Sequence, residues 1–160
     1  MTLPLSKAAR FWVRWLRSVG ARKAVILGYH RVVDTTWDPY GLAVSPAHFA
    51  EHLDVIKRLG EPLRLSELVN CLKSGQIPDR AVVVTLDDGY LDNLRSVLPL
   101  LRDRQIPATV FAVSGSFGQE FWWDELARRF APGNPLPPSI VVEEATRRVE
   151  IALHHDGQLV

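Results

Sequence analysis

The chain is poor in several things, and each shortage removes a class of protein. It has one cysteine, Cys71, so no internal disulfide can hold it together. No stretch approaches the roughly 20 apolar residues that a membrane span requires. The opening residues do not make a secretory leader, because Arg10, Arg14 and Arg17 interrupt any apolar core there. The formal net charge of +1 argues for neither nucleic acid nor an acidic partner. Internal repeats and low-complexity tracts are also missing. What remains is 160 residues, 47% apolar and 23% charged, which suits one soluble globular domain with a real core. Cys71 lies in an apolar helical pattern and reads as a plain buried thiol. A cytoplasmic protein, or one peripheral at the inner membrane face, fits these features.

Charge is distributed unevenly. Residues 1–33 carry Lys7, Arg10, Arg14, Arg17, Arg22, Lys23 and Arg31 and no acid. Within them, 5–19 has helical periodicity, with the arginines on one face and Trp12, Trp15, Leu16 and Val19 on the other. The simpler reading is a helix covering the domain with its apolar face. The alternative is peripheral contact with an anionic membrane surface.

Downstream, Ala24 to Tyr29 reads as a buried strand with His30 at its carboxyl end. Residues 34–44 read as a polar loop. Ser45 and Pro46 open a helix with Phe49, Leu53, Ile56 and Leu59 inward, ended by Gly60. Pro62 to Leu65 reads as a short strand. Ser66 is the expected cap of a second helix, with Leu68, Val69 and Leu72 inward and Gly75 at its end. The clearest strand is 81–86. A helical pattern over 91–104 contains Pro99, which predicts a kink or two short helices. A strand over 107–113 and a helix over 121–130 follow. Strand and helix alternate, which implies a parallel sheet with helices outside it.

Three regions result: a basic amphipathic segment over 1–23, the main α/β region over 24–130, and 131–160. The last begins with a proline-rich linker over 131–139. Arg148 to Leu153 then alternates partly towards a turn at Asp156-Gly157, as a hairpin cut off in its second arm. On this reading the chain is an amino-terminal portion, or needs a complementing carboxyl-terminal segment.

The chemically informative segment is Thr85-Leu86-Asp87-Asp88-Gly89-Tyr90. Adjacent aspartates at the carboxyl end of an apolar parallel strand repel one another and lose solvation. A bound cation relieves both penalties. Ligand sites of parallel α/β folds lie at that end of the sheet. The plain alternative is a surface turn with an aspartate capping the next helix.

This segment is similar to the T-F-D-D-G motif of the polysaccharide deacetylase family, the NodB homology domain of carbohydrate esterase family 4-like enzymes, with Leu86 in the phenylalanine place. Tyr29-His30-Arg31-Val32, Ser45-Pro46 with Phe49, Pro107-Ala108-Thr109-Val110-Phe111 and Phe121-Trp122-Trp123-Asp124-Glu125-Leu126 resemble further family motifs in the same order. The resemblance implies a partial (β/α)-barrel-like fold, incomplete at its carboxyl end. It also implies hydrolysis of N-acetyl groups on a glycan. Asp87 matches the general base and Asp88 a ligand of a divalent metal, zinc foremost, with cobalt or nickel as alternatives. His30 is a candidate substrate-binding residue, with a core histidine as the competing reading.

One departure stands out. The family's later histidine pair, which supplies two more ligands, has no counterpart. His154 and His155 are adjacent and face opposite ways on a strand. His48 and His52 share a helix face but read as solvated residues. Little activity is therefore expected of this chain alone, and a catalytically inactive glycan-binding or interaction module is the alternative function. A receiver-like domain is disfavoured, because its acidic pair follows the first strand. Phe121-Trp122-Trp123 reads as a helix burying its tryptophans, with a sugar-stacking platform as the alternative.

Overall fold

The computed structural model describes residues 23–116, 118–144 and 147–152. The expected helix over 5–19, the Asp156-Gly157 turn, His154 and His155 lie outside them. The chain divides into two compact units, one ending at Val113 and one beginning at Ser114.

The first unit is a parallel sheet with helices. Strand β1 is Ala24–Tyr29, followed by the two-residue strands β2 (Arg31–Val32) and β3 (Ala43–Val44). Helix α1 is Pro46–Leu59, β4 is Glu61–Pro62, α2 is Leu65–Ser74 and β5 is Ala81–Asp88. A wide π turn over Asn93–Val97 leads into α3, Leu98–Arg104, and β6 is Ala108–Ala112. Strand β5 is central. It pairs along its length with β1 on one side, and with β4 and then β6 on the other, all parallel. Its continuous apolar run is explained by this place: Ala81 and Val83 are buried, and so are Val84 and Leu86.

The core joins Val84 and Leu86 of β5 to Phe49, Leu53 and Ile56 of α1, to Val97, to Leu101 of α3 and to Ile106. Ser45 caps α1 as its type predicts, its hydroxyl accepting from the His48 N–H at 3.2 Å. Pro99 is accommodated by the π turn, where the Leu98 N–H reaches back to the Asn93 carbonyl. The proline then stands in the first turn of α3, where its missing N–H costs nothing.

Several details differ from the sequence reading. Strand β1 is not buried: Val25 and Ile26 are more than half exposed, because among the described residues β1 has β5 as its one partner. Leu59, Val69 and Leu72 are likewise exposed, and Leu68 alone is buried on α2. Cys71 is half-buried. The cap of α2 is Arg64 rather than Ser66, since the Glu67 carboxylate reaches back to the Arg64 N–H at 2.8 Å.

The second unit holds α4, Trp122–Arg129, and an antiparallel hairpin of β7, Ser139–Glu144, and β8, Arg147–Ala152. The sequence reading had no strand at Ser139–Glu144, so it sought the partner of β8 further on; the partner precedes it. Helix α4 does not bury its tryptophans either: no residue of it is buried, and Trp122 is 70% exposed. Among the described residues no helix is long and apolar enough to cross a membrane.

Candidate active site

The site forms where β1 and β5 end side by side. Their register sets Tyr29 opposite Leu86, so the next residue on each strand, His30 and Asp87, meet at the carboxyl edge of the sheet. His30 Nε2 stands 4.0 Å from Asp87 Oδ2, with the side chains 33% and 42% exposed. That separation is too long for a direct hydrogen bond. Burial beneath this edge pushes the Tyr29 phenol up from its ordinary range.

The backbone turns sharply at the second aspartate. Asp88 has φ of +69°, a conformation uncommon outside glycine, and the Gly89 N–H donates to the Asp87 carbonyl at 2.9 Å. A hydrogen bond across two residues about a positive-φ centre is a tight γ-type turn, which costs on the order of 1–3 kcal/mol. Gly89 follows at φ +75°, and a Cβ there would meet the Ala112 Cβ at 2.8 Å. Only glycine lets the loop pass so close to β6. Among the described residues no hydrogen bond reaches either the Asp87 or the Asp88 carboxylate.

A second set of residues ties the two loops together. The Asp92 carboxylate accepts from Arg31 Nε at 2.7 Å and from the Val32 N–H at 3.4 Å. The Asn93 amide donates to Asp92 Oδ1 at 2.9 Å and to the His30 carbonyl at 3.1 Å. The Arg31 guanidinium also lies 4.2 Å above the Tyr90 ring, in cation–π geometry. The segment after β1 is thus fastened to the segment after β5. Asp92 and Asn93 were not legible in the sequence; the signal was an acid and an amide closely following Asp87-Asp88-Gly89 at the start of a helix.

His48 and His52 stay on α1. His52 Nδ1 stands 3.3 Å from the Tyr29 hydroxyl. Among the described residues no group of three or more His, Cys, Asp or Glu side chains could hold a metal ion. A zinc site needs three or four protein ligands. The described residues therefore do not fit a complete metal site.

Residues 74–155 match the model of the polysaccharide deacetylase family, and the chain belongs to that family. Over 95 residues, 58% of this chain and 14% of the relative, it is 30% identical to the poly-beta-1,6-N-acetyl-D-glucosamine N-deacetylase of Escherichia coli (strain K12). Over 108 residues, 66% of this chain and 37% of the relative, it is 28% identical to YxkH of Bacillus subtilis (strain 168). The structure of IcaB from Ammonifex degensii superposes with a TM-score of 0.57 at 30% identity, covering 63% of this chain and 42% of that one. The chain thus spans less than half the length of each of these relatives, and its fold is a part of the NodB-like architecture.

Proposed function

We propose that this chain carries the carboxylate half of a site that removes N-acetyl groups from a polysaccharide. Asp87 is the base that takes a proton from the attacking water. Asp88 contributes one carboxylate to a divalent cation, zinc foremost and cobalt or nickel otherwise. His30 contacts the substrate. The observation that carries this reading is the juxtaposition of His30 and Asp87 at the strand ends, next to an aspartate held at positive φ. Carboxylates without hydrogen-bond partners are available to a proton or a ligand. One carboxylate leaves a divalent ion mostly hydrated, so the described residues supply proton handling and substrate contact but not a complete cation site. On this reading the remaining donors come from a complementing segment. The proposed substrate is a β-linked N-acetylglucosamine polymer, by analogy with the E. coli relative.

The test is acetate release from an N-acetylglucosamine oligomer with added zinc, cobalt or nickel. This chain is expected to release little, and a longer product supplying a histidine pair is expected to turn over. Turnover by this chain that Asp88→Asn abolishes would overturn the need for a complementing segment. Turnover by the longer product that persists in Asp87→Asn would overturn the role of Asp87.

A second reading, a glycan-binding module without catalysis, is favoured by the absence of a three-ligand cluster among the described residues. Sugar binding with no acetate release from either product would support it.

A further inference from the structure

The exposed aromatic cluster of the second unit has no part in the site above. Trp122, at the start of α4, is 70% exposed although it is the largest side chain type. Its ring is not loose. It stands edge-on to Trp123 at 5.5 Å and 83°, and Trp123 is stacked on Phe121 at 4.6 Å and 11°. Trp122 thus stands edge-on to one of two stacked rings with most of its own surface facing outward.

Beside it lies a cavity of about 600 Å³, lined by Trp122, Glu125, Leu126 and Arg129 of α4 and by Leu136 and Ile140. Those four helix positions are spaced three and four apart and share one face. The far wall is stiff. Pro135 and Pro137 also line it, and Asn134 is anchored by its amide to the Arg128 carbonyl at 2.6 Å. The charged members are paired: Arg129 Nη2 donates to Glu125 Oε1 at 2.6 Å, with the side chains 67% and 44% exposed, and Arg128, which also lines the cavity, donates to Glu120 at 3.0 Å.

Trp and Arg are common at protein-docking faces, but an acid such as Glu125 is depleted there. The exposed indole with this acid and guanidinium beside it matches a pyranose, which offers an apolar C–H face to an indole and a rim of hydroxyls that donate and accept at once. Arg129 supplies donors only, and Glu125 acceptors only. The cavity is of the size that holds a small ligand.

We propose that Trp122, with Glu125 and Arg129, forms a glycan-binding subsite that stacks one sugar ring of a polymer. This rests on the glycan reading of the preceding section but not on its chemistry. The experiment is titration of the full chain with tetra-N-acetylchitotetraose, followed through the indole N–H resonances by NMR, in wild type and in Trp122→Ala and Trp122→Phe. The expected result is a saturable shift of the Trp122 indole, affinity weakened about tenfold or more in Trp122→Ala, and most of it kept in Trp122→Phe. An unmoved Trp122 resonance, or equal binding by Trp122→Ala, overturns the subsite. Self-association that Trp122→Ala abolishes and the sugar does not compete for overturns it too, in favour of a contact between copies. Trp122 is exposed, so its replacement removes little buried surface, and far-UV circular dichroism of both variants checks the fold. Acetate release is measured in parallel. Trp122-dependent binding without release, even from a longer product, keeps the subsite and removes the deacetylase reading. Release that is indifferent to Trp122, with binding equally indifferent, removes the subsite alone.

Discussion

Replacing Gly89 by alanine tests the geometry on which the carboxylate pair depends. Two separate costs fall on that one methyl group. The first is conformational: Gly89 holds φ of +75°, where an L-residue costs about 1–2 kcal/mol. The second is steric: the new Cβ would lie 2.8 Å from the Ala112 Cβ, closer than real contacts allow, and a tight 3.1 Å from its Cα. Ala112 belongs to β6 and is held in register with Asp88, so relief requires moving a strand, at about 1–3 kcal/mol. The total expected loss is about 2–5 kcal/mol. Gly75 separates the two costs, because it has φ of +69° and nothing within 4 Å of its own missing Cβ. Gly75→Ala should therefore lose only the conformational part. Urea unfolding followed by far-UV circular dichroism measures both variants against wild type. Adding Ala112→Gly to Gly89→Ala removes the nearer contact and should recover part of the loss. Equal losses in Gly75→Ala and Gly89→Ala would refute the close approach of the aspartate loop to β6, and with it the placement of the carboxylates.

Two further outcomes check the rest of the first unit. Leu53→Ala empties the centre of the core, where Leu53 is fully buried among α1, β5 and α3 contacts, and should cost about 2–5 kcal/mol in the same urea experiment; a loss under about 1 kcal/mol would mean that α1 does not pack on the sheet as described. The hydrogen bond from the Arg104 guanidinium holds the Asp54 carboxyl below its ordinary value. A carboxyl depressed in the folded state adds stability above its unfolded pKa and loses it as pH falls through the folded value. Thermal melts of wild type and Asp54→Asn should therefore differ at neutral pH, converge in strong acid, and converge also in high salt, since the pair is exposed. A difference that grew on acidification would contradict the pairing.

Much of this molecule was legible because its signals are local. The run from Ala81 to Leu86 could only be a strand covered on both faces, and the motifs ending it placed the aspartates at the functional edge of a parallel sheet. Ser45-Pro46, Gly60 and Gly75 marked helix ends through their own backbone preferences. What failed depends on neighbours distant in the chain. The exposure of Val25 and Ile26 is set by how many strands flank β1, which its own composition does not record. Arg31 and Asp92 are 61 residues apart, so neither advertises the other. Ser139 closes the proline-rich linker and the residues from Ile140 on show only a mixed pattern, which hides the strand Ser139–Glu144 and misdirects the pairing of β8. Trp122 shows a further limit: helical spacing says which residues share a face, not whether anything covers it.

The carboxylate pair shows how geometry changes the weight of a short motif. Read from sequence, Asp-Asp-Gly is equally a helix cap, and a cap has a definite signature: its side-chain oxygen accepts a backbone N–H at the head of the helix. Neither Asp87 nor Asp88 accepts such a bond among the described residues, whereas Asp92, four residues on, accepts three hydrogen bonds and does the structural work. The division matters, because the Asp92 carboxylate is taken up by Arg31 and two N–H groups, while among the described residues Asp87 stands beside His30 without a hydrogen bond. Asp88 at φ +69° is a local backbone cost, offset in part by the hydrogen bond from the Gly89 N–H to the Asp87 carbonyl. The fastening of His30 to Asn93 and of Arg31 to Asp92 joins the segments after β1 and β5, and the register of Asp88 with Ala112 of β6 holds the turn itself.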